Sequence, residues 1–156
     1  MLLNIDGPKC SCGARGCWEA YISNPATLSR YLGQDVTANR PRSVDVAEFT
    51  IDDLISRARN NDTKALMSLH LTARYLGLGL ASIINAVDPS RIFIGGEIME
   101  AWDMIEPIVR EVLRERRLIA GTEETPIRIV PGIEHPRLRG AAALVTAPAF
   151  AAPKVA

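Results

Sequence analysis

Apolar residues recur every three to four positions over most of this chain, and short apolar runs bounded by glycine or proline interrupt them. The longest helical period predicts a helix from about Thr63 to Val87, with Leu66, Leu69, Ala73, Leu76, Leu80, Ile83 and Ile84 along its apolar positions. Asp62 stands where an N-cap belongs, and Asp88-Pro89 ends the pattern. Gly77 and Gly79 fall inside this helix, where each costs about 1 kcal/mol relative to alanine. They mark either close packing of another backbone or close approach of a bound nucleotide or sugar. Thr50, followed by Asp52 and Asp53, predicts a helix from Ile51 to about Asn60. Cys17 to Ser23 predicts a short helix. Asn24 as cap and Pro25 at the first helical position open the next, which carries Leu28, Tyr31 and Leu32 and stops at Gly33. A further helix runs from Ala101 to about Leu118, broken near its start by Pro107, and an Ala-rich one spans Leu138 to Val145.

Strands are fewer. Arg91-Ile92-Phe93-Ile94 reads as a buried strand ending in Gly95-Gly96, and Pro126 to Val130 as a second, with Ile127 and Ile129 on one face. Leu2, Leu3 and Ile5 read as the end of a strand closed by an Asp6-Gly7-Pro8 turn. Gln34 to Val46 is a polar loop, and residues 147–156 are expected to be a disordered tail. The alternation of helices and strands predicts an α/β layer whose sheet is at least partly parallel. In such sheets ligands bind outside the carboxyl ends of the strands, where Gly95-Gly96 falls.

Charge and composition narrow the class. The formal net charge is zero, which excludes a general electrostatic pull toward nucleic acid or an anionic membrane. No apolar run approaches the roughly 18 residues of a membrane span, and no basic-then-apolar leader pattern opens the chain. At 156 residues the chain can build one domain with a real core. Three clustered cysteines fit a reducing cytoplasm better than a disulfide framework.

Those cysteines are the densest chemistry in the sequence. Cys10-x-Cys12 with Cys17 five residues on is a compact spacing for a tetrahedral metal, zinc first, with Gly13 and Gly16 letting the backbone fold tightly. Three free thiols, or a disulfide with a spare thiol, are the alternatives. A structural zinc site wants four ligands; His70 and His135, the only histidines, lie far off in the chain. Glu19 follows the knuckle by two positions, so a metal would fix its direction, and its carboxylate could accept hydrogen bonds from two vicinal sugar hydroxyls. The competing reading is a plain helix-start carboxylate. Ser23, one turn on, reads as structural.

Cys-x-Cys-Gly-x-x-Gly-Cys-x-Glu, preceded by Gly7-Pro8 and followed by Ser23, resembles the zinc-motif signature of the ROK family of sugar kinases and sugar-responsive repressors. Gly79-Leu80-Ala81, Asn85, Asp88-Pro89, Ile92 to Gly96 and Gly140 to Leu144 are similar to the last third of ROK proteins. The resemblance implies an incomplete C-terminal lobe of an actin/hexokinase-like ATPase (ribonuclease H-like) fold over residues 1–146, with strand end and zinc knuckle in 1–23. It implies structural zinc on Cys10, Cys12 and Cys17, a sugar contact at Glu19, and a Gly95-Gly96 turn beside the adenosine of ATP in kinases. In the family a histidine precedes the first cysteine by about ten residues, which places the fourth ligand one residue before Met1.

The family's phosphate loops, its catalytic Asn-Asp pair and its Glu-x-x-His segment all lie upstream of the zinc motif, so no catalytic residue is assigned and the chain alone is expected not to be a kinase. Two classes remain for the parent: a repressor that binds DNA through a separate N-terminal domain, or a kinase using ATP and Mg2+. Trp18, Ala20 to Asn24, and Glu97, where many kinases carry a third glycine, resemble repressors more closely. Trp18 reads equally as a hydrophobic anchor for the knuckle. The ligand implied is a sugar or sugar phosphate, the compartment the cytoplasm without membrane contact, and the assembly a homodimer, with an unpaired sheet edge inviting association.

Overall fold

The computed structural model describes residues 1–33, 49–116, 124–131 and 136–146. The predicted loop 34–46, the tail 147–156 and His135 therefore lie outside, or almost wholly outside, the described residues. The helices are α1 (Glu19–Ile22), α2 (Asn24–Leu32), α3 (Ile51–Arg59), α4 (Thr63–Val87), α5 (Trp102–Glu115) and α6 (Pro136–Thr146). The strands are β1 (Ile92–Gly95) and β2 (Ile127–Val130), and a 3₁₀ turn, Glu97–Ala101, joins β1 to α5.

α4 is the axis, and α1, α2, α3 and α5 all pack against it. Its buried stripe of Ala65, Leu69, Ala73, Leu76 and Leu80 meets Leu54 and Ala58 of α3 and Ile105 and Val109 of α5 in one apolar cluster. Leu69, Ile105 and Val109 lose all contact with solvent, which contributes about 1.5–3 kcal/mol for each side chain. Capping fixes where these helices begin. Asp62 accepts from the Lys64 and Ala65 amides, while Thr50 and Asp53 form a reciprocal capping box. β1 and β2 pair in parallel, Ile92 opposite Ile127 and Gly95 opposite Val130, as the helix–strand alternation predicts.

Several expectations need correction. The cap of α2 is Ser23, whose side chain accepts from the Ala26 amide; Asn24 is the first helical residue. Pro107 does not break α5, which runs through it from Trp102 to Glu115 although the proline has no amide to donate to the Asp103 carbonyl. Leu2 to Ile5 form no strand: Leu2 makes an isolated antiparallel bridge to Cys17, and the Leu3 amide donates to the Gly16 carbonyl at 2.8 Å. Those backbone groups are consumed by the knuckle. The 3₁₀ turn carries no sequence period long enough to anticipate.

The two mid-helix glycines have side-chain neighbours. A Cβ at Gly77 would lie 2.8 Å from Val112 Cβ on α5 and 3.3 Å from the Val109 carbonyl oxygen. A Cβ at Gly79 would overlap the Trp18 indole. Both therefore serve packing: one lets α5 approach α4, the other seats the knuckle on α4.

Candidate functional site

The knuckle is built from backbone bonds around glycine turns. The Cys10 amide donates to the Ala14 carbonyl at 2.8 Å, the Gly13 amide to Cys10 at 3.0 Å, and the Gly16 amide to Pro8 at 2.8 Å. Gly16 sits at φ 67°, and a Cβ there would collide with the Asn4 carbonyl, so only glycine closes the turn. This fold-back brings the Sγ atoms of Cys10, Cys12 and Cys17 within 4.8 Å of one another. Cys12 and Cys17 lie 3.6 Å apart. Two thiolates held at ~2.3 Å by a tetrahedral zinc stand about 3.8 Å apart, so the sulfurs fit that ion. Cys10 is buried, Cys17 half-buried and Cys12 exposed.

The thiols differ electrostatically. The Cys12 amide beside the Cys10 sulfur holds the Cys10 thiol below its ordinary value, whereas the hydrogen bond shared with Cys12 pushes Cys17 up to about 11. Three sulfurs this close resist ionising together unless a cation compensates them. Among the described residues the group contains these three cysteines alone, and His70 is exposed on α4, outside it.

Trp18 couples the knuckle to the helices. Its indole N–H donates to the Tyr75 carbonyl at 2.8 Å, over the space left by Gly79. Tyr21 is buried against Tyr75, with ring centroids 4.3 Å apart. Between these two anchors the exposed Glu19 opens α1. The anchoring reading of Trp18 thus has a direct structural basis.

Gly95 and Gly96 occupy the carboxyl end of β1 and are exposed; Gly96 adopts φ 130°, and a Cβ there would meet nothing within 4 Å. Asn24 Nδ2 donates to the Glu97 carboxylate, so the glycine turn is tied to the start of α2, five residues beyond Glu19. The sequence singles out both regions without showing this link, because it spans 73 residues. Asp62 is the helix cap that the sequence predicts, and its unforeseen partner is Tyr31. The Asp62 carboxylate caps α4 and accepts from the Tyr31 hydroxyl at 2.8 Å, so it is engaged in structure. A cleft lined by Ile84, Asn85, Arg110 and Arg114 among others contains none of the candidate residues.

A helix-packed parallel strand pair with a thiol knuckle docked on its longest helix defines an α/β module with one metal-fitted corner. The profile described as "ROK family" matches residues 1–147, and the chain belongs to the ROK family. It carries part of that family's actin/hexokinase-like α/β fold. It is 33% identical over 116 residues to the xylose repressor of Bacillus spizizenii, a match covering 74% of this chain and 27% of that protein. It is 32% identical over 124 residues to the glucokinase of Streptomyces coelicolor, covering 74% of this chain and 38% of the enzyme. The crystal structure of a ROK family transcriptional regulator, a homolog of the E. coli MLC protein, superposes with TM-score 0.66 at 27% identity, covering 84% of this chain and 33% of that one. The chain thus spans roughly a quarter to two fifths of these relatives. No helix among the described residues is long and apolar enough to cross a membrane.

Proposed function

We propose that this chain is the sugar- and zinc-binding portion of a ROK-family sugar-responsive transcriptional regulator. The observation that carries the reading is the continuity of knuckle and carboxylate: three sulfurs within 4.8 Å, then Trp18 pinned to α4, then exposed Glu19. Cys10, Cys12 and Cys17 would hold a structural zinc, which supplies positive charge and a fixed tetrahedral geometry when bound. Glu19 would then accept hydrogen bonds from two vicinal hydroxyls of a sugar or sugar phosphate. The protein would act in the cytoplasm as a homodimer, with any DNA contact made by a domain outside this chain.

The match to a glucokinase favours a second reading, a portion of an ATP-dependent sugar kinase. There Gly95 and Gly96 would lie beside a nucleotide, with Mg2+ on its phosphates. The chain alone would still not transfer phosphate, because that step needs phosphate donors, a metal and a base aligned on one hydroxyl. Asp62, within the chain's own Asn-Asp pair, is committed to capping α4.

Calorimetric titration of the zinc-loaded chain with D-xylose, D-glucose and ATP–Mg2+ tests both readings. One sugar should bind, and Glu19→Gln should weaken it about tenfold or more at unchanged zinc content. Equal binding by both proteins, or by neither, would refute the Glu19 assignment. Sugar-dependent ATP turnover by the pure chain would move the function to the kinase.

A further inference from the structure

Arg30 is a cation set between helices. Its Nη2 donates to the Tyr21 carbonyl, its Nη1 to the Thr72 hydroxyl and, at 3.5 Å, to the Ser68 carbonyl. The Tyr75 ring lies 5.9 Å from its guanidinium carbon. No carboxylate pairs with it among the described residues. Burial pushes its ionisation below the ordinary arginine value. A desolvated charge that answers only carbonyls, a hydroxyl and a ring gains little from attraction to an opposite charge. Its role is to be sought in what its fork of donors holds in place.

Tyr21 shows what that is. A helix running on from α1 would give the Tyr21 carbonyl to the amide of residue 25. Residue 25 is Pro25, which has no N–H, and Ser23 is extended at ψ 155°. Arg30 supplies the donor that Pro25 lacks. Its second nitrogen anchors the same side chain to α4 through Thr72, whose hydroxyl lies 2.8 Å from that of buried Thr27 on α2. The corner between α1 and α2 is therefore clamped to α4 from below, as Trp18 clamps it from the knuckle side.

We propose that Arg30 is a positioning residue for Glu19: by holding the Tyr21 carbonyl against α4 it fixes the direction in which the α1 turn presents the Glu19 carboxylate. This deepens the sugar-binding reading and rests on it. Charge alone would not suffice, because lysine offers one nitrogen and cannot span the Tyr21 carbonyl and Thr72 hydroxyl together.

The test uses the zinc-loaded chain with Arg30→Lys and Arg30→Met. It reads peptide-resolved hydrogen exchange and the affinity for D-xylose and D-glucose. Arg30→Lys should keep its zinc, exchange faster in residues 19–23 with residues 63–87 unchanged, and bind the sugar that wild type binds about tenfold more weakly. Arg30→Met should show the same pattern more strongly; if it fails to fold, Arg30→Lys decides. Wild-type exchange and affinity in Arg30→Lys would overturn the proposal, as would equal loosening of 19–23 and 63–87, the mark of a general packing role. If wild type binds neither sugar, the Glu19 reading fails on its own. Exchange at 19–23 then decides Arg30, with faster exchange supporting the clamp and unchanged exchange refuting it.

Discussion

Residues 1–17 and the α4–α5 pair are ordered by different physics. In the knuckle only Gly7, Cys10 and Gly16 are buried, and Leu2 and Ile5 point into solvent. Its order rests on backbone bonds across glycine turns and on whatever draws three sulfurs together. Along α4 and α5, Leu69, Ile105 and Val109 are fully buried, and capped helix ends satisfy the first amides of α4. Apolar burial is distributed over many contacts; a knuckle concentrates its stability in one centre. Trp18 joins the two regimes, its indole N–H bonded to α4.

The contrast can be broken from either side. Leu69→Ala should show the largest effect, about 2–5 kcal/mol in denaturant unfolding, because Leu69 is fully buried in the apolar cluster shared by α3, α4 and α5. Gly79→Ala should cost about 1–3 kcal/mol by forcing the Trp18 indole off α4. Its signature would be a shifted tryptophan emission with unchanged helix content. Thr50→Ala should cost about 1 kcal/mol by removing a capping box from α3 while leaving zinc uptake by the three cysteines unchanged.

Acid sharpens the same contrast. Asp53 is held below the ordinary carboxylate range by the Thr50 hydroxyl, Asp62 by the Tyr31 hydroxyl and Asp103 by Arg59. Each folded value is depressed, so the unfolded chain binds the proton more tightly. Their contribution is complete above about pH 4 and is lost as pH falls below it through the folded values. The melting temperature of the helical part should stay flat from about pH 7 to about pH 4 and drop below it.

The helical part was largely legible in the sequence, for a physical reason. Thr50, Asp62 and Gly33 mark helix ends by local hydrogen bonding or backbone conformation, and the stripe from Leu69 to Leu80 repeats at the helical period. The cysteine cluster was legible too, because its spacing is short and its glycines are local. What escaped was non-local. Ser23, not Asn24, is the cap of α2, and Asn24 donates instead to Glu97, a partner 73 positions away. Gly79 was readable as a place of close approach, but its neighbour Trp18 was not. Arg30 carried no signal at all, since its meaning comes from a carbonyl that Pro25 cannot serve and a hydroxyl on α4.

The proposed zinc at the knuckle would set the turn that bears Glu19. The direct measurement is hydrogen exchange of the chain loaded with one equivalent of zinc, compared with the same protein after chelation. Zinc should slow exchange across residues 1–23, and the chelator should release it while residues 63–87 stay protected. Identical exchange in 1–23 with and without zinc would mean that no metal orders the turn bearing Glu19.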